Sequence, residues 1–295
     1  MVHRASPVDR RLGVLIPRPA PRDKGLVERE DGCRIAWYRY GAGDRVVVFF
    51  PTWNFVDARV VGHQVEYLSQ HCTVITYDAR GSGASHRPSS GYTFRAHVGD
   101  GIAVLDELTV DHAGVVTASM GMNAAVIAQV EHPGRIDRLA AIAPYVQVVP
   151  VPPDEDPDWA SPESNGGRDW FSDEAWRNDW PGFARFFMQA CFTEPGTAAL
   201  IDELVEIALD ASPEVLITQK RELDWELAPT LISKVTCPTL FIHGDSDITH
   251  PVSAVQAIAD MIPDVRLEIL SGAAHRPDIQ APERVNETLA GFLLN

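Results

Sequence analysis

Five short apolar runs constrain this chain more than any other feature. "CTVITYD", "AGVVTA", "LAAIAP", "PTLFIHG" and "VRLEIL" each suit a strand covered on both faces, and helix-length segments lie between most of them. Parallel strands cannot be joined by tight turns and need a crossover, usually a helix. The alternation therefore predicts a doubly wound α/β protein with a mostly parallel sheet. Ahead of these runs, "LVEREDGCRIAWYRYGAGDRVVVFF" predicts strands at roughly 26–30, 34–40 and 45–50 with "DG" and "GAGD" turns, so the sheet starts antiparallel.

The helical segments carry the matching pattern. Phe94, Val98, Ile102, Leu105 and Leu108 recur at spacings of three and four, one stripe packed on a sheet. "MNAAVIAQVEHPG" reads as a helix until Pro133 and Gly134 end it, and two more are expected at about 252–260 and over "ERVNETLAGFLL". Residues 150–230 break the alternation. They hold 18 acidic and five basic residues, and five of the seven tryptophans: Trp159, Trp170, Trp176, Trp180 and Trp225. "VPPDEDPDWASPESNGG" is expected to act as a mobile hinge, with amphipathic helices over "GFARFFMQACF" and "TAALIDELVEIALD". This stretch is read as an inserted helical lid, leaving a core of 25–149 and 231–295. Residues 1–24, with six Lys or Arg and four prolines, are expected to form a basic, poorly ordered leader.

Charge and cysteine usage exclude several classes. A formal charge of −16 argues against nucleic acid, which is held by clustered Lys and Arg. No apolar run approaches the roughly 18 residues of a membrane span, and no secretory signal is visible, so a cytoplasmic protein without a membrane partner is expected. Cys33, Cys72, Cys191 and Cys237 form no C-x-x-C pair and are read as reduced packing residues. His243, Asp245, Asp247 and His250 could in principle serve zinc. That reading is set aside because His243 falls at a strand end and no H-E-x-x-H spacing exists. The G-x-G in "YDARGSGAS" has His86 where a dinucleotide site needs a third glycine, so no cofactor is expected.

In "VVTASMGMNAA", Ser119 stands between a run of β-formers and a run of helix-tolerant residues. It is either a nucleophile on a tight strand-to-helix turn or an ordinary strand-end serine. A nucleophile elbow needs small residues two before and two after, here Thr117 and Gly121. "YDARGSGAS" resembles the D-x-R-G-x-G-x-S loop of the α/β-hydrolase superfamily, matching at Asp78, Arg80, Gly81, Gly83 and Ser85, with Asp78 and Arg80 read as structural. "CPTLFIHGDSDITHP" resembles the segment that supplies the acid of that superfamily, through Asp247 or, one residue past Gly244, Asp245. "VRLEILSGAAHRP" resembles the loop that supplies the base, His275. The order Ser119, Asp247, His275 is the serine, acid, histidine order of these hydrolases. Surface-turn and loop roles for Asp247 and His275 are the competing readings.

The resemblance implies a cofactor-free serine hydrolase that opens a carboxylic ester, lactone or thioester of an apolar small molecule through an acyl-enzyme. The same triad also serves C–C bond hydrolases, amidases or iminopeptidases, and perhydrolases; acyl transfer or cyclisation is a further possibility. Aspartate-nucleophile members are disfavoured by the serine at 119. The oxyanion hole needs two backbone N–H groups, one from Met120 and one just after the third strand. There the chain reads "FFPTWNF", and Pro51 has no N–H to give, which leaves Trp53, with Thr52 as the alternative. This altered segment, with Thr117, keeps open a small-ligand binding protein that has lost turnover. The tryptophans of 150–230 either pin small helices or line a cleft, and its acidic residues read as a solvated face that disfavours anionic substrates. Nothing in the sequence sets an oligomeric state.

Overall fold

The apolar runs become adjacent strands of one sheet. The computed structural model describes residues 15–148 and 160–295. Its elements run β1 (Asp23–Glu28), β2 (Arg34–Tyr40), β3 (Val46–Phe49), α1 (Gly62–Leu68), β4 (Thr73–Tyr77), α2 (Phe94–Glu107), β5 (Ala113–Ala118), α3 (Gly121–Glu131) and β6 (Ile136–Ile142). Then come α4 (Asp173–Asn178), α5 (Trp180–Cys191), α6 (Ala198–Leu209), α7 (Pro213–Glu222) and α8 (Leu227–Leu231). The chain closes with β7 (Thr239–Gly244), α9 (Val252–Ala259), β8 (Val265–Leu270), α10 (Pro277–Gln280) and α11 (Pro282–Leu293). The eight strands lie in the order β1-β2-β4-β3-β5-β6-β7-β8. The β1–β2 and β2–β4 pairs are antiparallel and all later pairs are parallel, so the sheet starts antiparallel as expected, but only the "DG" turn closes a hairpin: after "GAGD" the chain crosses over, and β3 lies parallel between β4 and β5 instead of beside β2.

Successive residues of each central strand feed opposite cores. Val48, Ile75, Val115, Leu139 and Phe241 join the apolar layer under α2, α3, α8 and α9. Their neighbours Val47, Val74, Val116, Ala140 and Leu240 join the layer under α1 and α11. That two-sided burial is why the strands read as continuous apolar runs. β8 departs from it: as the edge strand it is only partly covered, with Arg266 exposed, because just one neighbour and fewer helices shield it. From β3 the chain turns to β4 on one side, then returns to β5 on the other. The loops leaving β3 and β5 therefore diverge and open a crevice at their carboxyl ends, the usual ligand position in such sheets.

Two expected boundaries shift. The leader is not loose through residue 24. Ile16 is fully buried, its backbone N–H and that of Leu15 reach the Glu203 carboxylate on α6, and β1 already begins at Asp23. Residues 1–14 lie outside the described residues. The helical insertion likewise gives way to the main core before residue 230. Leu223 and Ala228 belong to the sheet-side core, and Trp225 packs on Phe94 and Tyr145 rather than on the other tryptophans. Of the expected hinge, residues 151–167, the stretch 151–159 with Trp159 lies outside the described residues, and 160–167 is a run of turns.

The helices α4 to α7 share their own core, in which Trp176, Trp180, Phe183, Leu204 and Leu216 pack with Phe55 from the loop after β3. Its outer face carries exposed pairs such as Arg177–Glu214 and Arg185–Asp202. All four cysteines are buried and unpaired. Among the described residues no helix is long and apolar enough to cross a membrane.

Candidate active site

Ser119 sits one residue past β5 with φ of +50°, a left-handed conformation that a non-glycine residue rarely adopts. Such strain persists only where the surroundings hold it. Here the Ser119 N–H donates to the Ile142 carbonyl at 2.9 Å, and its own carbonyl accepts from Met122 and Tyr145, each at 3.1 Å. The Asn123 side chain clips the turn further by donating to the carbonyls of Met120 and Tyr145, each at 2.9 Å. Thr117 answers the sequence question it posed: its hydroxyl donates to the Phe50 carbonyl at 3.2 Å, a tie that glycine could not make. Gly121 is compulsory, because a Cβ there would lie 2.2 Å from Thr117 Oγ1 and 2.5 Å from the Pro51 carbonyl oxygen.

The acid and base loops meet beside this turn. His275 Nδ1 donates to Asp247 Oδ2 at 2.7 Å, and both side chains are buried. The other carboxylate oxygen accepts from the Thr249 hydroxyl at 2.7 Å, the Thr249 N–H at 2.8 Å and the His250 N–H at 3.2 Å. Burial would raise the Asp247 pKa, but the facing His275, with help from His250 and Thr249, holds it far below the ordinary carboxylate range. Burial pushes the His250 imidazole down to about 3, so this ring is neutral; it stacks between Tyr145 and His275. Asp245 is turned outward, its carboxylate accepting the Gly272 N–H at 2.7 Å. Of the two candidate acids, only Asp247 faces His275.

Thr249 and His250 are site residues that the sequence reading did not assign. The only available signal was their position two and three residues after Asp247, where turn backbones fold back on a carboxylate.

Ser119, Met120 and His275 line one cavity of about 60 Å³, with Thr52 and Trp53 from the segment after β3 and Phe187, Met188, Cys191, Phe192 and Leu204 from α5, its end and α6. No acceptor among the described residues takes the backbone N–H of Met120, Thr52 or Trp53. Both candidates for the second oxyanion donor thus stand open beside Ser119. The Trp53 indole packs on Phe55, Trp176, Phe183 and Phe187, anchoring that segment to the insertion. A second tie comes from Glu194, whose carboxylate accepts the N–H of Ala274, the residue before His275, at 2.6 Å.

The zinc quartet considered from sequence does not assemble, since Asp245 points away. Asp247, His250 and His275 do bring potential ligand atoms within 4.8 Å of one another. A cation there would have to displace the His275–Asp247 hydrogen bond, because both carboxylate oxygens are already engaged. The expected structural roles of Asp78 and Arg80 match their contacts. Asp78 accepts from Ala84 N, Ala58 N and Tyr38 Oη, while Arg80 is buried against Asp100 at 2.7 Å.

The chain is similar to known proteins along most of its length. Residues 47–288 match the family model described as the alpha/beta hydrolase family. A candidate carbamate hydrolase, RutD, of Caulobacter sp. (strain K31) is 27% identical over 261 residues, spanning 85% of this chain and 92% of that protein. The fold is shared with an esterase from Exiguobacterium antarcticum, at a TM-score of 0.79 and 22% identity over 92% of this chain and 99% of that one. It is shared equally with a bromoperoxidase from Bacillus anthracis, at a TM-score of 0.79 and 23% identity over 92% and 100% of the two chains.

Proposed function

This chain belongs to the alpha/beta hydrolase family, and from that premise we propose that it is a serine hydrolase acting through Ser119, His275 and Asp247 on a carboxylic ester, lactone or thioester. The observation that carries the reading is the 2.7 Å contact of His275 Nδ1 with Asp247 Oδ2, made by a histidine that lines the same cavity as the strained Ser119. With Nδ1–H committed to Asp247, the imidazole's Nε2 carries the lone pair, and it can accept the Ser119 proton as Oγ attacks the acyl carbon. The resulting imidazolium is stabilised by the ionised Asp247 and returns the proton to the leaving group. The negative oxygen that forms is received by the N–H of Met120 and that of Trp53, with Thr52 as the other candidate. Water, deprotonated by the same nitrogen, then releases the acid.

The helices α4 to α7 act as the lid. A cavity of about 60 Å³ is well below the roughly 300–1,000 Å³ of sites that engulf a drug-sized ligand. A short acyl group fits it directly, and anything larger needs α5 and α6 to move. The mostly apolar wall favours acyl groups that are apolar over most of their surface.

A fluorophosphonate probe tests the reading. Labelling is expected in the intact protein and absent in Ser119→Ala. An unlabelled wild type that still binds small esters tightly would instead support a ligand-binding protein on a hydrolase fold.

A further inference from the structure

Arg276 directly follows the proposed base, and it is the one Arg or Lys among the residues lining the Ser119 cavity. It is 8% exposed, and Asp278, itself 1% exposed, accepts from its Nε at 2.9 Å and its Nη2 at 2.7 Å. A guanidinium has five N–H donors in a rigid fork. These two bonds leave both N–H groups of Nη1 and one of Nη2 without an acceptor among the described residues. Donors left without a protein acceptor on a cavity wall are normally met by water or by a ligand. The same residue lines the small void behind the Ser119 turn, so it stands between two spaces. Its charge is felt on the cavity wall: burial and Asp247 raise the Cys191 thiol pKa, and Arg276 acts against them.

We propose that Arg276 reads a neutral hydrogen-bond acceptor on the acyl part of the substrate, a keto, ether or amide oxygen a few bonds from the scissile carbonyl. The inference rests on the Ser119 hydrolase reading and adds the substrate class. An entirely apolar acyl group would strip water from the spare donors and return nothing, which a site built around a polar group discriminates against. A carboxylate is the wrong partner, because Asp278 already neutralises the guanidinium. An added anion would leave uncompensated negative charge beside Asp247, in a chain of formal charge −16. The small cavity limits the acyl group to a few heavy atoms.

Three p-nitrophenyl esters of nearly equal acyl shape separate these cases: 4-oxopentanoate, 4-methylpentanoate and hydrogen succinate. The wild type is expected to show kcat/KM at least about tenfold higher for the 4-oxo ester than for either other ester. Arg276→Lys keeps a cation opposite Asp278 but removes the fork, and the ratio of 4-oxo to 4-methyl ester should fall to within about twofold of one. If that variant melts early, the double variant Arg276→Met with Asp278→Asn removes the buried charges together and is held to the same ratio. The assignment is overturned by a wild type that is labelled at Ser119 yet treats the 4-oxo and 4-methyl esters alike. Preference for the succinate ester, or an undiminished ratio in either variant, overturns it as well. A wild type that the fluorophosphonate does not label fails earlier, at the hydrolase reading itself.

Discussion

Two of the aspartates buried in loops at the carboxyl ends of the strands, Asp78 after β4 and Asp247 after β7, differ in their chemistry. They are 4% and 7% exposed, and each accepts backbone N–H groups and one hydroxyl. Burial pushes both pKa values up. For Asp78 the N–H bonds do not overcome it, Asp57 adds like charge, and the pKa stays raised. For Asp247 the imidazole of His275 reverses the sign. Depth therefore does not mark the carboxylate proposed to act in catalysis; a titratable partner that lines a cavity does. Asp78 is a strut, holding the turn at Gly83, where φ is +48° and a Cβ would sit 2.3 Å from its carboxylate.

The largest expected effect lies on the catalytic side of that contrast. Asp247→Asn should lower kcat by roughly 10³–10⁴-fold, because an amide can turn the His275 imidazole into the wrong tautomer. Asp78→Asn should leave kcat within about threefold while costing about 2 kcal/mol of stability, since one of its donors loses its acceptor. Asp245→Asn should also leave kcat within about threefold. Steady-state ester hydrolysis and urea titration on the three proteins check this. A large kcat loss at Asp245 or Asp78, with Asp247→Asn active, would reverse the assignment.

The same contrast shows what the sequence could reveal. Ser119, Asp247 and His275 can be picked out as candidates because each stands just past a strand that announces itself as an apolar run, and strand ends share one rim of a parallel sheet. The helical insertion was legible from its break in that rhythm. What stayed hidden depends on contacts without a period. Glu203 takes the backbone of Leu15, and Glu194 takes that of Ala274 across 80 residues of sequence. No local pattern predicts such pairs, and so the leader looked loose. Trp225 was grouped with the other tryptophans by composition, although its partners Phe94 and Tyr145 lie in the main core. Trp53 and Thr52 each offer an N–H that has no acceptor among the described residues.

A smaller effect tests the strut by acid. A carboxyl whose folded pKa is raised binds its proton more readily in the folded state, so it adds stability as pH falls through that pKa. Removing Asp78 removes that gain. Asp78→Asn should therefore lose stability more steeply than the wild type as pH falls through the raised Asp78 pKa towards the ordinary carboxylate value of about 4. His97 and His250, both pushed by burial to about 3, impose the opposite slope on either protein. Their neutral folded forms lose stability as pH falls from about 6.5 towards 3, so the comparison must be between variants and not against a flat baseline. Urea midpoints at matched pH supply it. Parallel pH curves for the two proteins would mean that Asp78 is an ordinary carboxylate.

The smallest expected effects come from removing one hydroxyl on each side. Thr249 Oγ1 donates to Asp247 at 2.7 Å and Tyr38 Oη donates to Asp78 at 2.9 Å, so Thr249→Val and Tyr38→Phe each delete a hydroxyl bond to a buried carboxylate, and Thr249→Val also removes that hydroxyl's contacts with His275 Nδ1 at 2.9 Å and His250 Nδ1 at 3.0 Å. Asp247 Oδ1 keeps the N–H groups of Thr249 and His250, which is why the loss is partial and not a collapse of the acid. Thr249 touches Asp247 and the Nδ1 side of His275 but no reacting atom, so it is a positioning residue. Its loss should reduce kcat by about three- to tenfold with KM unchanged, the scale of one hydrogen bond of about 1 kcal/mol, and Thr249→Ser should restore it. Tyr38→Phe should cost a similar free energy in folding and leave kcat alone. If Tyr38→Phe slowed turnover as much as Thr249→Val, both hydroxyls would be acting through general stability, and the distinction between a strut and a proton relay would not hold at this level.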